Sequence, residues 1–491
     1  MDFSSLLRQQ ARFTFTENGA PALMTTGNAL LNMYSTLAAS RDRSKNDVIR
    51  MFEAAWQTDP LGALRCLFYV RDVRGGQGER DLFRTLLNYA ACNHTEAIRA
   101  NLHLVAEYGR WDDMYFLIGT PLEDDMWKLM RAQLDLDVEQ MEAGKPVSLL
   151  AKWLKKANSQ NKATKALGIR TALKLGMSVY DYKRVCSRLR MYLDVAEVKM
   201  SAREWDKIAY EATPSRAMMI YRKAFRLHDE KRYNAFLASV EKGEAKINAS
   251  TLYPYDIVEK FLYGSGDATL EAQWKALPDY IQDADTNILV MADVSGSMSG
   301  RPMASSIGLA MYFAERIRGA FRNLFMTFSS KPTMVELKGK TLAERIRFLK
   351  NADWGMNTDF MAAMKLILNL AVENKVPQSE LPKALVVVTD MEFDSAAGSG
   401  EVKKTFTTLC QQMFAEKGYI APVLVFWNVN SRNDVFHADQ SDRGIVLVGG
   451  QSASTFGNLL RFLNGEKALT PVDFMYDVLN SDRYRAITLP E

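Results

Sequence analysis

The sequence predicts a multidomain protein, an N-terminal all-α solenoid of HEAT-like helix pairs followed by a doubly wound α/β domain. Three observations predict it. At 491 residues the chain is longer than one hydrophobic core serves, so two or three domains are expected. Up to about residue 265, apolar residues recur at three- and four-residue spacings with few β-branched runs. After about residue 284, short continuous apolar runs alternate with amphipathic segments, the pattern of a parallel sheet covered on both faces. The boundaries are 1–265 for the helical domain, 266–284 for a linker and 285–450 for the α/β domain. Residues 451–491 form C-terminal helices that pack on one of the two.

In the helical half, the segment DYKRVCSRLRMYLDVAEVKM shows the pattern. Val185, Leu189 and Tyr192 share one face, while Lys183, Arg184, Arg188 and Arg190 point elsewhere. Many such helices in series, with short turns and no strands, suggest stacking into a solenoid, although no clean repeat period is present. The stretch GSGDATLEAQWKALPDYIQDADT is polar and contains glycine, which marks the boundary. Beyond it strands are predicted at 287–294, 323–329, 383–390, 421–429 and 443–450, with helices at 303–321, 359–375 and 403–418. The tail reads as one or two amphipathic helices, with Thr470 as an N-cap and Pro471 at the first helical position.

Composition narrows the function classes. A chain that is 47% hydrophobic and 24% charged, with formal net charge +4, is not wholly disordered and carries no global nucleic-acid signal. Cys66, Cys92, Cys186 and Cys410 lie far apart without a CxxC pair, and the four histidines are scattered, which argues against a disulfide framework or a zinc site. The first residues, MDFSSLLRQQARFTF, lack a basic stretch followed by an apolar one, and no later apolar run approaches the roughly 20 residues needed to span a bilayer. A soluble cytoplasmic protein with no membrane partner is expected.

The apolar run in NILVMADVSGSMSG stops at Asp293 and gives way to Ser295 and Ser297. Ligands of open α/β sheets bind outside the carboxyl ends of the strands, and this is such an end. A carboxylate and two hydroxyls are hard oxygen donors suited to Mg²⁺ or Mn²⁺. Asp390 closes the strand ALVVVTD in the same way, and Thr358 lies on the glycine-containing loop WGMNTDF. Asp359 reads as an N-cap and Asp394 as a solvated acid. DxSGS by itself reads more simply as an Asx turn capping the next helix. No His or Lys in the adjacent motifs could serve either serine as a base, and no GxSxG elbow is present, so a binding site rather than an enzyme is expected. Asp293, Ser295, Ser297, Thr358 and Asp390 together resemble the metal-ion-dependent adhesion site (MIDAS) of von Willebrand factor A domains, whose first motif reads DxSxS. The resemblance implies direct coordination by the serines and, in one state, the threonine, with the aspartates acting largely through water. It also implies a coordination position open to a carboxylate of an acidic protein partner.

In the helical half, residues 68–90, FYVRDVRGGQGERDLFRTLLNYA, combine three glycines with Arg71, Arg74 and Arg80. No Walker A pattern is present, so no nucleotide cofactor is expected, and a tight inter-helix turn with Asp72, Glu79 and Asp81 as partners is predicted. Charge says more. Residues 145–235 hold 21 Lys and Arg against 8 Asp and Glu, whereas 101–144 hold 3 against 10. The basic block interleaves aromatics and amides such as Tyr180, Tyr182, Asn158, Gln160 and Asn161. Its candidate RNA-binding residues are Lys152, Trp153, Lys155, Lys156, Lys162, Lys165, Arg170, Lys183, Arg184, Arg188 and Arg190. Such a surface binds phosphates and stacks unpaired bases.

An all-helical array followed by this type of α/β domain resembles the Ro/TROVE ribonucleoproteins. More closely, TENGAPALMTTGNALLNMYSTL, YVRDVRGGQGERDLFR, TPSRAMMIYRKAFRLHDEKRYNAFL, KINASTLYPYDIV and VVVTDMEFD are similar to an uncharacterised sister family of plants, fungi and phages, over residues 16 to 394. The Ro resemblance implies a HEAT-like ring carrying a von Willebrand A domain, with small structured RNAs on its basic outer surface and single-stranded ends in a central hole. It implies no catalysis. The competing expectations are an intracellular protein-binding scaffold and a viral assembly factor, both acting through the metal site without RNA.

Overall fold

The computed structural model describes residues 11–281, 287–328, 332–350, 359–394, 406–463 and 470–490. Between Ala29 and Lys275 the described chain runs as helices joined by short turns. Polar residues start many of them. Ser44, Asp59, Asn161, Ser178 and Asp267 each accept a backbone N–H from the first turn of the helix that follows, satisfying a donor with no intrahelical partner.

The helical half nevertheless begins with strands. β1 (Phe13–Phe15) and β2 (Pro21–Leu23) form an antiparallel hairpin around Gly19, whose φ is +82°. The hairpin is laid on the far end of the chain, with isolated bridges pairing Gly19 with Asp394 and Leu23 with Phe436. Strands of three residues are too short to set up a readable alternation.

The second half is one six-stranded sheet in the order β5-β4-β3-β6-β7-β8. The strands are β3 (Ile288–Asp293), β4 (Leu324–Phe328), β5 (Met334–Glu336), β6 (Ala384–Thr389), β7 (Val423–Asn428) and β8 (Ile445–Gly449). All five predicted strands are present. β4, β3, β6, β7 and β8 run parallel, and β5 adds an antiparallel edge that makes the sheet mixed. Every residue of β3 and β6 is buried, the signature of central strands covered on both faces. The helices Arg301–Arg316, Phe360–Glu373 and Phe406–Glu416 correspond to the three predicted between strands.

The two halves share a continuous apolar core. The stretch 266–284 includes the helix Ala268–Lys275, whose Leu270 and Trp274 are buried and whose Trp274 indole donates to Glu315 at 2.9 Å. The helix Pro254–Tyr263 packs on Arg301–Arg316, and Ala29–Thr36 packs on β7 and β8. The C-terminal helix Pro471–Leu479, N-capped by Thr470, packs on Ala29–Thr36, Pro60–Arg71 and β8, so it touches both halves.

The glycine-rich turn is a joint between the halves. A Cβ on Gly76 would stand 1.9 Å from the Tyr69 carbonyl oxygen, so only glycine lets the turn close. Gln77 then reaches across. Its Nε2 donates to Tyr69 Oη at 2.6 Å and Thr455 Oγ1 at 2.9 Å, and its Oε1 accepts from the backbone N–H of Gln451 and Ser452. Asp72 accepts the amides of Arg74 and Gly75 and a bidentate guanidinium from Arg483 at 2.8 and 2.9 Å, while Glu79 pairs with Arg41. On the opposite side of this joint, a Cβ on Gly449 would stand 2.3 Å from the Ser35 carbonyl oxygen. The obstacle is backbone and cannot swing aside. Gly449→Ala is expected to cost about 1–3 kcal/mol, read as a lower urea midpoint.

Candidate metal centre and basic cavity

β3 is the strand from which the order runs one way to β4 and the other way to β6, so the carboxyl ends of β3 and β6 flank the point where the connections diverge. Asp293 ends β3, and Asp390 directly follows β6. Both are buried, as is Ser295, whereas Ser297 faces solvent. Asp293 Oδ1 accepts the Ser295 amide at 2.9 Å, and Oδ2 accepts the Thr389 hydroxyl at 2.7 Å. Burial, and after it the neighbouring Asp390 carboxylate, pushes the Asp293 carboxyl well above the usual carboxylate range.

The Ser295 and Ser297 hydroxyl oxygens are 3.0 Å apart. Two adjacent oxygen ligands of an octahedral Mg²⁺ at roughly 2.1 Å stand about 3.0 Å apart, so the pair has the spacing the ion requires. Asp293, hydrogen-bonded to an amide and a hydroxyl, is a buried carboxylate whose ionised form a cation would favour, while Asp390 already meets Arg432 at 3.0 Å. The donor set is of the kind that suits Mg²⁺ or Mn²⁺, which Ser295 and Ser297 would ligate while the aspartates would supply charge. Thr358 lies outside the described residues. Asp359 accepts the Ala362 amide at 2.9 Å as an N-cap. Among the described residues no group of three or more His, Cys, Asp and Glu that could hold a metal ion gathers.

Four residues that the sequence did not single out complete the surroundings. Thr389 orients Asp293 and also accepts the Met391 amide at 3.1 Å. Met391 has φ +70°, a left-handed conformation that a side chain strains against, at a cost of roughly 1–3 kcal/mol. His437 Nε2–H donates to the Met391 carbonyl at 2.9 Å, and burial pushes its imidazole down to about 4, so it donates as a neutral ring. Arg432 Nη2 donates to Asp390 Oδ2 at 3.0 Å and lies 3.2 Å from Glu17 Oε2.

A cavity of about 1830 Å³ opens in the helical half. Its wall carries fourteen Lys and Arg against six Asp and Glu, together with Trp111, Trp153, Tyr182, Tyr221, Tyr253 and Tyr255. Of the predicted RNA-binding residues, Lys152, Trp153, Lys156, Lys183 and Arg190 line it. The others stand elsewhere. Lys155 lies over the Tyr115 ring, Arg170 pairs with Glu123, Arg188 reaches Glu142 at 3.5 Å, and Lys162, Lys165 and Arg184 are exposed outside the lining. Arg190 also spends its guanidinium on the Ala151 and Leu154 carbonyls, both at 2.8 Å, which ties down the short helix Leu150–Trp153. Trp153 lies under the Arg110 guanidinium at 4.1 Å. The rest of the positive wall comes from Arg41, Arg43, Lys45, Arg71, Arg74, Arg80, Arg110, Lys199, Arg216 and Arg301. Arg301 opens the helix that follows the serine loop and stacks on Tyr255 at 4.1 Å, so one residue touches both the cavity and the metal-centre loop.

Residues 16–166 and 147–286 match the model of "Domain of unknown function (DUF2828)", together more than half of the chain. The chain belongs to the DUF2828 family. Residues 287–477 match a second model, "Domain of unknown function (DUF7788)", so the DUF2828 region carries the cavity and the second region the metal centre. A relative in Acanthamoeba polyphaga mimivirus, "Uncharacterized protein L728", is 29% identical over 508 residues, covering 96% of this chain and 87% of its own. Among solved structures, the Deinococcus radiodurans RO (RSR) protein is 16% identical over 90% of this chain and all of its own, with a TM-score of 0.37, too low to carry an argument. Among the described residues no helix is long and apolar enough to cross a membrane.

Proposed function

We propose that this is a non-catalytic RNA-binding protein. The cavity of the helical half holds RNA, and the α/β half is a von Willebrand A-type domain with a MIDAS-like Mg²⁺ or Mn²⁺ site for an acidic protein partner. The single observation that carries the RNA reading is the cavity wall, with fourteen cations to six anions and aromatic rings between them. Its volume of about 1830 Å³ exceeds the roughly 300–1,000 Å³ of small-molecule pockets, which favours a segment of polymer over a metabolite. Backbone phosphates suit the cations, and unpaired bases suit the rings. The A-type assignment is supported by the strand order, the antiparallel edge strand and the two aspartates at the divergence point. In this reading the serine hydroxyls, 3.0 Å apart, serve as ligands rather than as nucleophiles.

The deciding experiment is purification from the native cell without nuclease, followed by sequencing of whatever RNA accompanies the protein. Discrete RNAs whose retention falls steeply with salt are expected. An absence of enriched RNA would move the reading to a protein-binding scaffold. For the metal, thermal unfolding should rise with Mg²⁺, by about 2.7 kcal/mol at a hundredfold excess over Kd, and Asp293→Ala should remove that response. An unchanged response would take Asp293 out of the site.

A further inference from the structure

The loop after β7 is fixed on both sides of Arg432. Arg43 donates through Nε to the Ser431 carbonyl at 3.0 Å and through Nη2 to Ser431 Oγ at 2.7 Å, and it pairs with Asp434 at 2.5 Å. The Arg432 backbone is thus held while its side chain bridges two carboxylates. One nitrogen, Nη2, serves both Asp390 Oδ2 at 3.0 Å and Glu17 Oε2 at 3.2 Å, and the buried Nε meets no hydrogen-bond partner among the described residues. Neither acid receives the two-pronged contact that a guanidinium can offer.

Glu17 is built into its position. Its amide donates to Glu392 Oε2 at 2.7 Å, and its Oε1 accepts from Asn433 Nδ2 at 2.8 Å. The hairpin that carries it is tied down by Thr16 Oγ1 donating to the Phe393 carbonyl at 2.6 Å and Asn18 Nδ2 donating to the Glu392 carbonyl at 2.7 Å. An N-terminal carboxylate is therefore delivered to the rim of the metal centre, within reach of the guanidinium that touches Asp390.

We propose that Arg432 competes with a divalent cation for Asp390, and that Glu17 is the carboxylate that receives Arg432 when the cation wins. This rests on the metal-site reading above. Two cations drawn to one buried carboxylate repel each other, and the repulsion is strong where little water screens it. The transfer needs only a side-chain swing, because Arg432 already contacts Glu17. Asp390 exchanges a singly charged guanidinium for a dication, and Arg432 gives up one of its two acids and keeps the other.

The two partners predict shifts of opposite sign. Isothermal titration of the full chain with Mn²⁺ and with Mg²⁺ should give at least about tenfold tighter binding in Arg432→Gln, because the competitor is gone. Glu17→Gln should bind severalfold more weakly, because Arg432 has lost its alternative. The double variant should behave like Arg432→Gln alone. Shifts of the same sign, or equal affinities in all three, would overturn the proposal. Asp293→Asn separates the two readings. If wild type binds, Asp293→Asn does not, and Arg432→Gln changes nothing, the metal site stands and the competition falls. If no variant binds metal, both fall. Should Arg432→Gln fold poorly, Glu17→Gln carries the test alone, since Glu17 is exposed on the hairpin.

Discussion

Reversing Lys152, Lys156 and Lys183 to glutamate is expected to weaken RNA binding by roughly 100-fold at 0.1 M salt, while reversing Lys162, Lys165 and Arg184 leaves most of it. Both triples change the chain's formal charge of +4 by the same amount. Only the first faces the cavity. Arg190 is left out because its guanidinium holds two carbonyls, and its loss would disturb the helix rather than the surface. If each of the three lysines neutralises one phosphate, losing them reduces the slope of log K against log salt by about 2 and the affinity at 0.1 M salt by roughly 100-fold. Fluorescence anisotropy with a short single-stranded RNA across a salt series measures both. Equal losses in the two triples would mean that net charge, not the cavity, governs binding. No loss in the first would remove RNA from this wall.

Which features could be read from the sequence follows from how far their parts lie along the chain. The central strands were legible because a strand buried on both faces is a continuous apolar run, as in ILVMAD and ALVVVT. Asp293, Ser295 and Ser297 were legible because one turn carries them, and Asp390 because it ends a strand as Asp293 does. Glu17, Arg432 and His437 were not. They reach the centre through tertiary contacts between loops, 42 and 46 residues apart for Arg432 and His437 and 375 for Glu17, and no local pattern marks a guanidinium as bound for Asp390. The edge strand β5 exposes both its end residues and has three residues in all, too few for a period.

The cavity was half legible for a related reason. Charge density along the chain pointed to residues 145–235, yet the wall also draws Arg41, Arg74, Arg80 and Arg301 from segments outside that block. Folding sorts those charges. Glu79 turns to Arg41 and Asp72 to Arg483, which neutralises acids that the sequence places beside the arginines. The reading of 68–90 as a tight turn was sound locally, but its use as a joint depends on Gln77 meeting residues more than 370 positions away.

The largest loss of stability is expected from Asp113→Ala. Asp113 is fully buried and serves three donors: Arg71 Nε at 2.8 Å, Arg84 Nε at 2.6 Å and the Arg110 amide at 3.0 Å. Arg71 is 2% exposed, so without Asp113 its charge loses its ion pair where little water reaches it. Asp112 holds the other end of Arg84 at 2.9 Å and the Arg110 guanidinium at 3.0 Å. Removing one member of a buried pair costs about 3–5 kcal/mol, a large part of the roughly 5–15 kcal/mol that a domain has. Asp113→Asn keeps an acceptor of the same shape and should lose less, which separates the missing charge from the missing volume. The damage extends to the cavity, because Arg71 and Arg110 line it and Arg110 covers the Trp153 ring. Urea unfolding of both variants measures the cost, and a loss below about 1 kcal/mol for Asp113→Ala would show that Arg71 finds another partner. The loss in Asp113→Asn then states how much of the hold on Arg71 and Arg84 is electrostatic, and the further loss in Asp113→Ala states how much comes from the acceptor and the volume it fills.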